Sequence, residues 1–193
     1  MVNFMHLTDD QLAERYIGGD NKAFDELLKR SQDKVYNYIL CLVKDESLAD
    51  DLFQDTFVKV INKLQLGQYT YNGKFLAWVN RIAHNLIMDY FRHEKSSKIL
   101  DTETDIDITA YRGSSAIRES VESDIVHSQM LEEAKKMLNF LPEAQREVVI
   151  MRYFHELSFK EIADVTDVSI NTALGRMRYA VLNMRRMARH QNL

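Results

Sequence analysis

Residues 157–186 read "LSFKEIADVTDVSINTALGRMRYAVLNMRR". Ser158 and Glu161 have the spacing in which a hydroxyl takes one orphan helix N–H while a carboxylate reaches back to another. A short helix is therefore predicted to start at Phe159. Ile162, Ala163 and Val165 give it an apolar side. "TDVS" is a tight turn, in which Asp167 tolerates a left-handed backbone better than most residues. Ser169 then caps a second, longer helix. This order makes a helix-turn-helix, with small Ala163 letting the two helices approach. On the second helix Ala173, Met177, Ala180, Val181, Met184 and Ala188 share one side; Thr172, Gly175, Arg176, Arg178, Tyr179, Arg185, Arg186 and Arg189 share the other. No acidic residue follows Asp167. A charged helix face is usually a solvated one. Guanidiniums without carboxylates, on a helix whose start carries Ser169, Asn171 and Thr172, suit a polyanion instead: arginines grip phosphates and the helix start reaches base edges.

The rest of the chain sets this segment in contrast. The net charge is −4 over 193 residues, but it is unevenly spread. Residues 1–98 hold 14 acids and 13 bases, residues 99–128 hold 7 and 2, and residues 129–193 hold 8 and 10, so local pattern says more about partners than the total does. One proline, six glycines and 46% hydrophobic residues point to an all-α chain long enough to bury one core or two small ones. No apolar run reaches the roughly 18 residues a membrane span needs, so no membrane insertion of its own is expected. The opening "MVNFMHLTDDQ" lacks the basic-then-apolar pattern of a secretory signal. Cys41 has no second cysteine to pair with, which fits a reducing, cytoplasmic location and excludes a cysteine-cluster metal site.

From Leu7 to Lys98 the pattern is a succession of helices. "TDDQ", Thr8 to Gln11, has capping-box spacing; Gly18 and Gly19 break the chain and Asp20 is a cap candidate. "SLADDLFQDTFVKVINKL" opens with Ser47 as a cap, and Phe53, Phe57, Val60 and Leu64 recur at helical spacing. "LGQYTYNGKF" is a turn-rich loop. "FLAWVNRIAHNLIMDYFRHEK" then places Phe75, Val79, Ile82, Leu86 and Tyr90 on a core stripe, with Arg81, His84, Asn85, Met88 and Arg92 opposite. Tyr69, Tyr71, Phe75, Trp78, Tyr90 and Phe91 crowd the same region as these bases. Rings interleaved with cations suit single-stranded nucleic acid, although Phe75, Tyr90 and Phe91 are read rather as core residues, and Tyr69 and Tyr71 fit a core or a base-facing place equally.

Residues 96–128, acidic and rich in Ser, Thr and Asp without sustained periodicity, are predicted to form a flexible linker. Helices resume near Ser128 with "QMLEEAKKMLNFL", and Pro142 fits the first turn of "PEAQREVVIMRYFHE". The expected domains are thus 1–95, a linker over 96–128, and 129–193. Asp50, Asp51 and Asp55 invite comparison with magnesium-binding carboxylates, but the spacing is DD-x-x-x-D and no second acidic cluster follows, so a basic protein partner suits this face better. No nucleophile–base pair or phosphate loop stands out, which argues against an enzyme, and no cofactor is expected.

The chain resembles bacterial sigma factors of the extracytoplasmic-function group over nearly all its length. The resemblance rests on "AERYIGGDNKAFDELLKRSQDKVYNYI", "ADDLFQDTFVKVINKL", "GKFLAWVNRIAHNLIMDYFRHEK" and "LPEAQREVVIMRYFHELSFKEIADVTDVSINTALGRMRYAVLNMRR", in that order. It implies a sigma region 2 helical bundle and a sigma region 4 helix-turn-helix in a protein that binds core RNA polymerase and directs promoter recognition, melting and initiation. Asp51, Gln54 and Asp55 would dock on the polymerase clamp's coiled coil, and the flap would be a further contact. Tyr69, Tyr71, Lys74, Trp78, Asn80, Arg81, His84, Asn85 and Arg92 would serve the melted minus-ten strand, with the Tyr69–Lys74 loop holding an extruded base. Ser169, Asn171, Thr172, Gly175, Arg176, Arg178, Tyr179 and Arg186 would serve the minus-thirty-five duplex. The acidic linker would run toward the RNA exit path, and an inhibitory anti-sigma factor would be a partner. Leu174 and Gly175 stand where the family more usually has a basic residue and a serine, and Ala173 replaces a larger β-branched residue. Phosphate contact is therefore expected to fall more on Arg176 and Arg178. The rival readings are a helix-turn-helix regulator with an N-terminal dimerisation or sensor domain, and a small helical magnesium-dependent enzyme.

Overall fold

The computed structural model describes residues 4–101 and 137–191, and no strand occurs among them. The chain divides into two compact units, Met1–Ser114 and Ser115–Leu193.

In the first unit a 3-10 turn, Phe4–His6, leads to α1 (Asp9–Ile17), α2 (Asn21–Val43), α3 (Glu46–Gln65) and α4 (Phe75–Asp101). The Thr8 hydroxyl accepts from the Gln11 backbone N–H and the Gln11 side chain accepts from the Thr8 N–H, so the capping box read from "TDDQ" closes. Two other caps differ from their sequence reading. Asp20 stands at the cap position of α2 without capping it; its carboxylate lies 3.6 Å from Arg15 instead. At α3 the cap is Asp45, whose Oδ1 accepts from the Leu48 N–H at 2.9 Å, and Ser47 falls inside the first turn. Asp45 is already extended, so the earlier of two competent caps starts the helix. The helix α2 is the centre of this unit, packed against α1, α3 and α4. Leu12, Leu27, Val35, Ile39, Val60, Leu64, Phe75 and Ile87 are buried between these helices. Each such side chain contributes about 1.5–3 kcal/mol relative to exposure.

The helix α4 continues to Asp101, beyond the residue 96 at which the linker was expected to begin. A helical turn needs only local hydrogen bonds to extend past the core that nucleated it, so the composition change at Ser96 does not end it. Residues 102–128 of the expected linker and the helix expected from Ser128 as far as residue 136 lie outside the described residues.

The second unit contains α5 (Glu143–Tyr153), α6 (Phe159–Thr166) and α7 (Ile170–Gln191). Pro142 stands one residue before the first turn of α5, at its cap. Ser158 and Glu161 form the capping box, and Asp167 closes α6 at φ 52° and ψ 47°, in the left-handed conformation expected of it. Val148, Ile150 and Met151 of α5, Ile162 and Ala163 of α6, and Ala173, Met177 and Ala180 of α7 are buried. Asn183 Nδ2 donates to Gln145 Oε1 at 2.8 Å and ties α7 to α5. Among the described residues no helix is long and apolar enough to cross a membrane.

Candidate polymerase and nucleic-acid interfaces

Three surfaces carry the candidate residues. The first is on α3. Leu52, Phe57, Val60 and Leu64 point into the bundle, so the helix rotation leaves Asp50, Asp51, Gln54 and Asp55 exposed. Val58, one turn on, is 56% exposed and gives the acidic face an apolar end. Carboxylates beside an exposed β-branched residue make a surface suited to a basic, partly apolar helix.

The second surface is the α3–α4 connection and the start of α4. Tyr71, Asn72, Gly73 and Lys74 are exposed, with Tyr71 at 49%. Tyr69 takes the core place of the two open to it: it is only 5% exposed and sits among rings rather than offering one to solvent. Its centroid lies 5.3 Å from Tyr71, 5.6 Å from Phe75 and 4.8 Å from Trp78. Its hydroxyl donates to Asp10 Oδ1, and burial, then this bond, pushes the phenol well above its ordinary range. Along α4, Arg81, Asn85 and Arg92 are exposed and Trp78 half-buried. Arg92 pairs with Asp89 at 2.8 Å.

Asn80 and His84 do not share that outer face. They are 0% and 8% exposed, and His84 Nδ1 is hydrogen-bonded to the Tyr38 hydroxyl at 3.2 Å. The reason is that α4 packs against both α2 and α3, so two of its sides are buried where a single amphipathic stripe predicts one. Tyr90, placed on the core stripe by its spacing, is in turn exposed, because it lies further along the helix than the core reaches.

The third surface is the helix-turn-helix. Ser169 Oγ accepts from the Thr172 N–H at 3.1 Å, as a cap does, and lies 2.8 Å from the Thr172 hydroxyl. Asn171, Arg178, Tyr179, Arg185, Arg186 and Arg189 are exposed, while Gly175 and Arg176 are half-buried. Ala173, Met177 and Ala180 turn inward against α5 and α6.

Sequence reading missed Asp10 and Gly73. Asp10 was visible only as an interior residue of "TDDQ"; no local pattern shows that its carboxylate also meets the Gly73 N–H, at 2.7 Å.

A chain of two helical units, one with an exposed acidic helix and an aromatic loop, the other a helix-turn-helix with a carboxylate-free arginine face, has the build of a DNA-binding protein that also engages a protein partner. Comparison with known proteins narrows that class. The family described as Sigma-70 region 2 matches residues 27–97, and Sigma-70, region 4 matches residues 131–177. The RNA polymerase sigma-H factor of Pseudomonas aeruginosa is 29% identical over 171 residues, covering 88% of each chain. The extracytoplasmic-function sigma factor SigW of Bacillus subtilis is 27% identical over 161 residues, 82% of this chain and 85% of that one. A solved structure of the Bartonella quintana sigma factor RpoE, in complex with the anti-sigma factor NepR, is similar in fold, with a TM-score of 0.68 at 22% identity over 87% of this chain and 98% of that one. The chain belongs to the sigma-70 family, in its extracytoplasmic-function group. It is a sigma factor, which binds core RNA polymerase and directs promoter-specific initiation.

Proposed function

We propose that the three surfaces divide the work of initiation between them. Asp51, Gln54 and Asp55 dock on the clamp's coiled coil, with Val58 packed at the edge of that contact. What supports this is the joint exposure of all four on successive turns of α3. Tyr71, Lys74, Trp78, Arg81, Asn85 and Arg92 meet the melted non-template strand, where the exposed Tyr71 ring can stack on a base and the cations can meet phosphates. Tyr69, Asn80 and His84, being buried, act by holding that surface in place. Extruding a base costs a few kcal/mol, which stacking and a shaped loop offset.

In the second unit, Asn171, Thr172, Gly175 and Tyr179 approach base edges of the minus-thirty-five element, with Ser169 setting the helix start. Arg176, Arg178 and Arg186 bind its phosphates. The domains are read as 1–95 and 129–193, joined by the acidic segment between them, which would run to the polymerase's RNA exit path; the flap is a further contact of the second unit. We read the chain as acting in the cytoplasm by binding alone, the family's members being initiation factors rather than enzymes. An anti-sigma partner is supported by the fold shared with RpoE, which its structure shows bound to NepR.

The observation that carries this reading is the pairing, on one chain, of an exposed acidic α3 face with an arginine face free of carboxylates. The test is binding of the purified chain to core polymerase, with and without Asp51→Arg plus Asp55→Arg. Wild type binds, and the double charge reversal weakens binding at least tenfold, since each reversal turns an attraction into a repulsion at close range. Undiminished binding of the variant would remove α3 from the interface.

A further inference from the structure

One carboxylate outside all three surfaces holds both ends of the aromatic loop. Asp10, in the first turn of α1, accepts from the Tyr69 hydroxyl through Oδ1 and from the Gly73 backbone N–H through Oδ2, at 2.7 Å. Between these anchors lie the exposed Tyr71 and Asn72. The loop is shaped further from within. Gly73 bends it at φ 73°, a conformation that a side chain would strain, and Asn72 Oδ1 accepts from the Lys74 N–H at 3.2 Å.

Asp10 is itself on a fixed support. The Thr8–Gln11 box closes the turn it sits on. Its neighbour Asp9 lies 3.2 Å from Arg30 of α2, and the same guanidinium donates to Glu26 at 2.9 Å and to the Phe4 and Leu7 carbonyls at 2.8 Å each. The chain of contacts therefore runs from α2 through Arg30 and the start of α1 to the loop. Nothing in the capping box requires a carboxylate at position 10, because Thr8 and Gln11 complete it alone. Both Asp10 oxygens are spent on the loop.

We propose that Asp10 is a positioning residue for promoter discrimination: by tying Tyr69 and Gly73 to α1 it holds Tyr71 and the backbone around Asn72 in one shape, so that the loop selects among bases. The inference rests on the reading of this loop as the holder of an extruded base. A loop ordered before binding spends none of its conformational freedom on the nucleotide, and a rigid pocket rejects the wrong base where a soft one adapts.

The test uses holoenzyme reconstituted with the full chain and a probe of single-stranded DNA randomised over the minus-ten window and sequenced after capture. Wild type, Asp10→Ala, Asp10→Asn and Tyr69→Phe are compared, with core-polymerase affinity and capture of minus-thirty-five duplex measured alongside. Asp10→Ala lowers single-strand capture about tenfold and flattens the preference at one base position, with the other two measurements unchanged. Asp10→Asn restores part of the preference, because its amide oxygen can accept one of the two bonds but its nitrogen cannot accept the other. Tyr69→Phe added to Asp10→Ala causes no further loss at that position, since the two act through one bond. A purely structural role would lower all three measurements together and leave the base preference intact; that result, or an unchanged preference in both Asp10 variants, overturns the proposal. Should Asp10→Ala not fold, Asp10→Asn and Tyr69→Phe give the same reading. A wild-type holoenzyme that captures the strand without any base preference at the loop overturns the loop's reading, and Asp10's role with it.

Discussion

Tyr69 shows how much one side chain in this fold can carry. Its ring completes the cluster of Tyr71, Phe75 and Trp78, and its hydroxyl is the loop's tie to α1. The raised phenol pKa has a sign that can be worked through. The folded state holds this proton more tightly than the unfolded chain, whose tyrosines ionise near about pH 10. The stabilisation is therefore fully present below that pH and is lost as pH rises toward the folded-state value. Chemical denaturation at pH 9 and pH 11 should show wild type losing more stability over the interval than Tyr69→Phe, which has no proton to release at this site. Equal losses would place the alkaline sensitivity elsewhere.

At the scale of the element, short-range chemistry was legible and long-range packing was not. Thr8 with Gln11, Ser158 with Glu161, and Asp167 in the left-handed turn were all readable because each involves partners within four residues. Asp45 was passed over for Ser47 because two competent caps stand close together and only the backbone decides between them. Periodicity puts His84 on an outer face because it cannot report that a helix is covered on two sides, and Asn80 joins the strand-facing set through the family resemblance alone. The same limit hid Asp10, whose partners lie about sixty positions away. The helix α7 offers an element-scale test. Gly175 lies in its interior, and a Cβ added there meets nothing within 4 Å. Gly175→Ala should raise stability to thermal unfolding by about 0.5–1 kcal/mol, because glycine loses more chain entropy in a helix. If the family's duplex contact runs here, the same variant weakens minus-thirty-five binding while stabilising the fold, because the added methyl meets DNA that approaches the bare backbone. A loss of both would mean the glycine serves packing after all.

For the whole molecule, the division into two units sets the expected arithmetic of promoter binding. Arg81 is exposed in one unit and Arg178 in the other. Arg81→Ala and Arg178→Ala should each weaken promoter binding by holoenzyme, and their free-energy penalties should add to within about 0.5 kcal/mol. The gain from joining two weak contacts on one chain is a matter of effective concentration, which neither substitution changes. A double variant far from the sum would mean that the two contacts are energetically coupled. The two-unit, all-α plan was visible in composition and capping signals, whereas the length of α4 was not, since nothing in "HEKSSKILD" marks its end before Asp101.

The hydroxyls of Ser169 and Thr172 spend themselves on each other and on the first turn of α7. Anyone wishing to retarget this factor to a new upstream sequence should therefore leave Ser169 alone, because replacing it costs α7 its cap, about 1 kcal/mol, and should expect a change at Thr172 to disturb that cap as well as the contact with bases. Randomising Asn171, Leu174 and Gly175 instead varies positions with room for a new side chain outside the core, and a selection confined to those three codons would explore new promoter elements with few clones lost to misfolding.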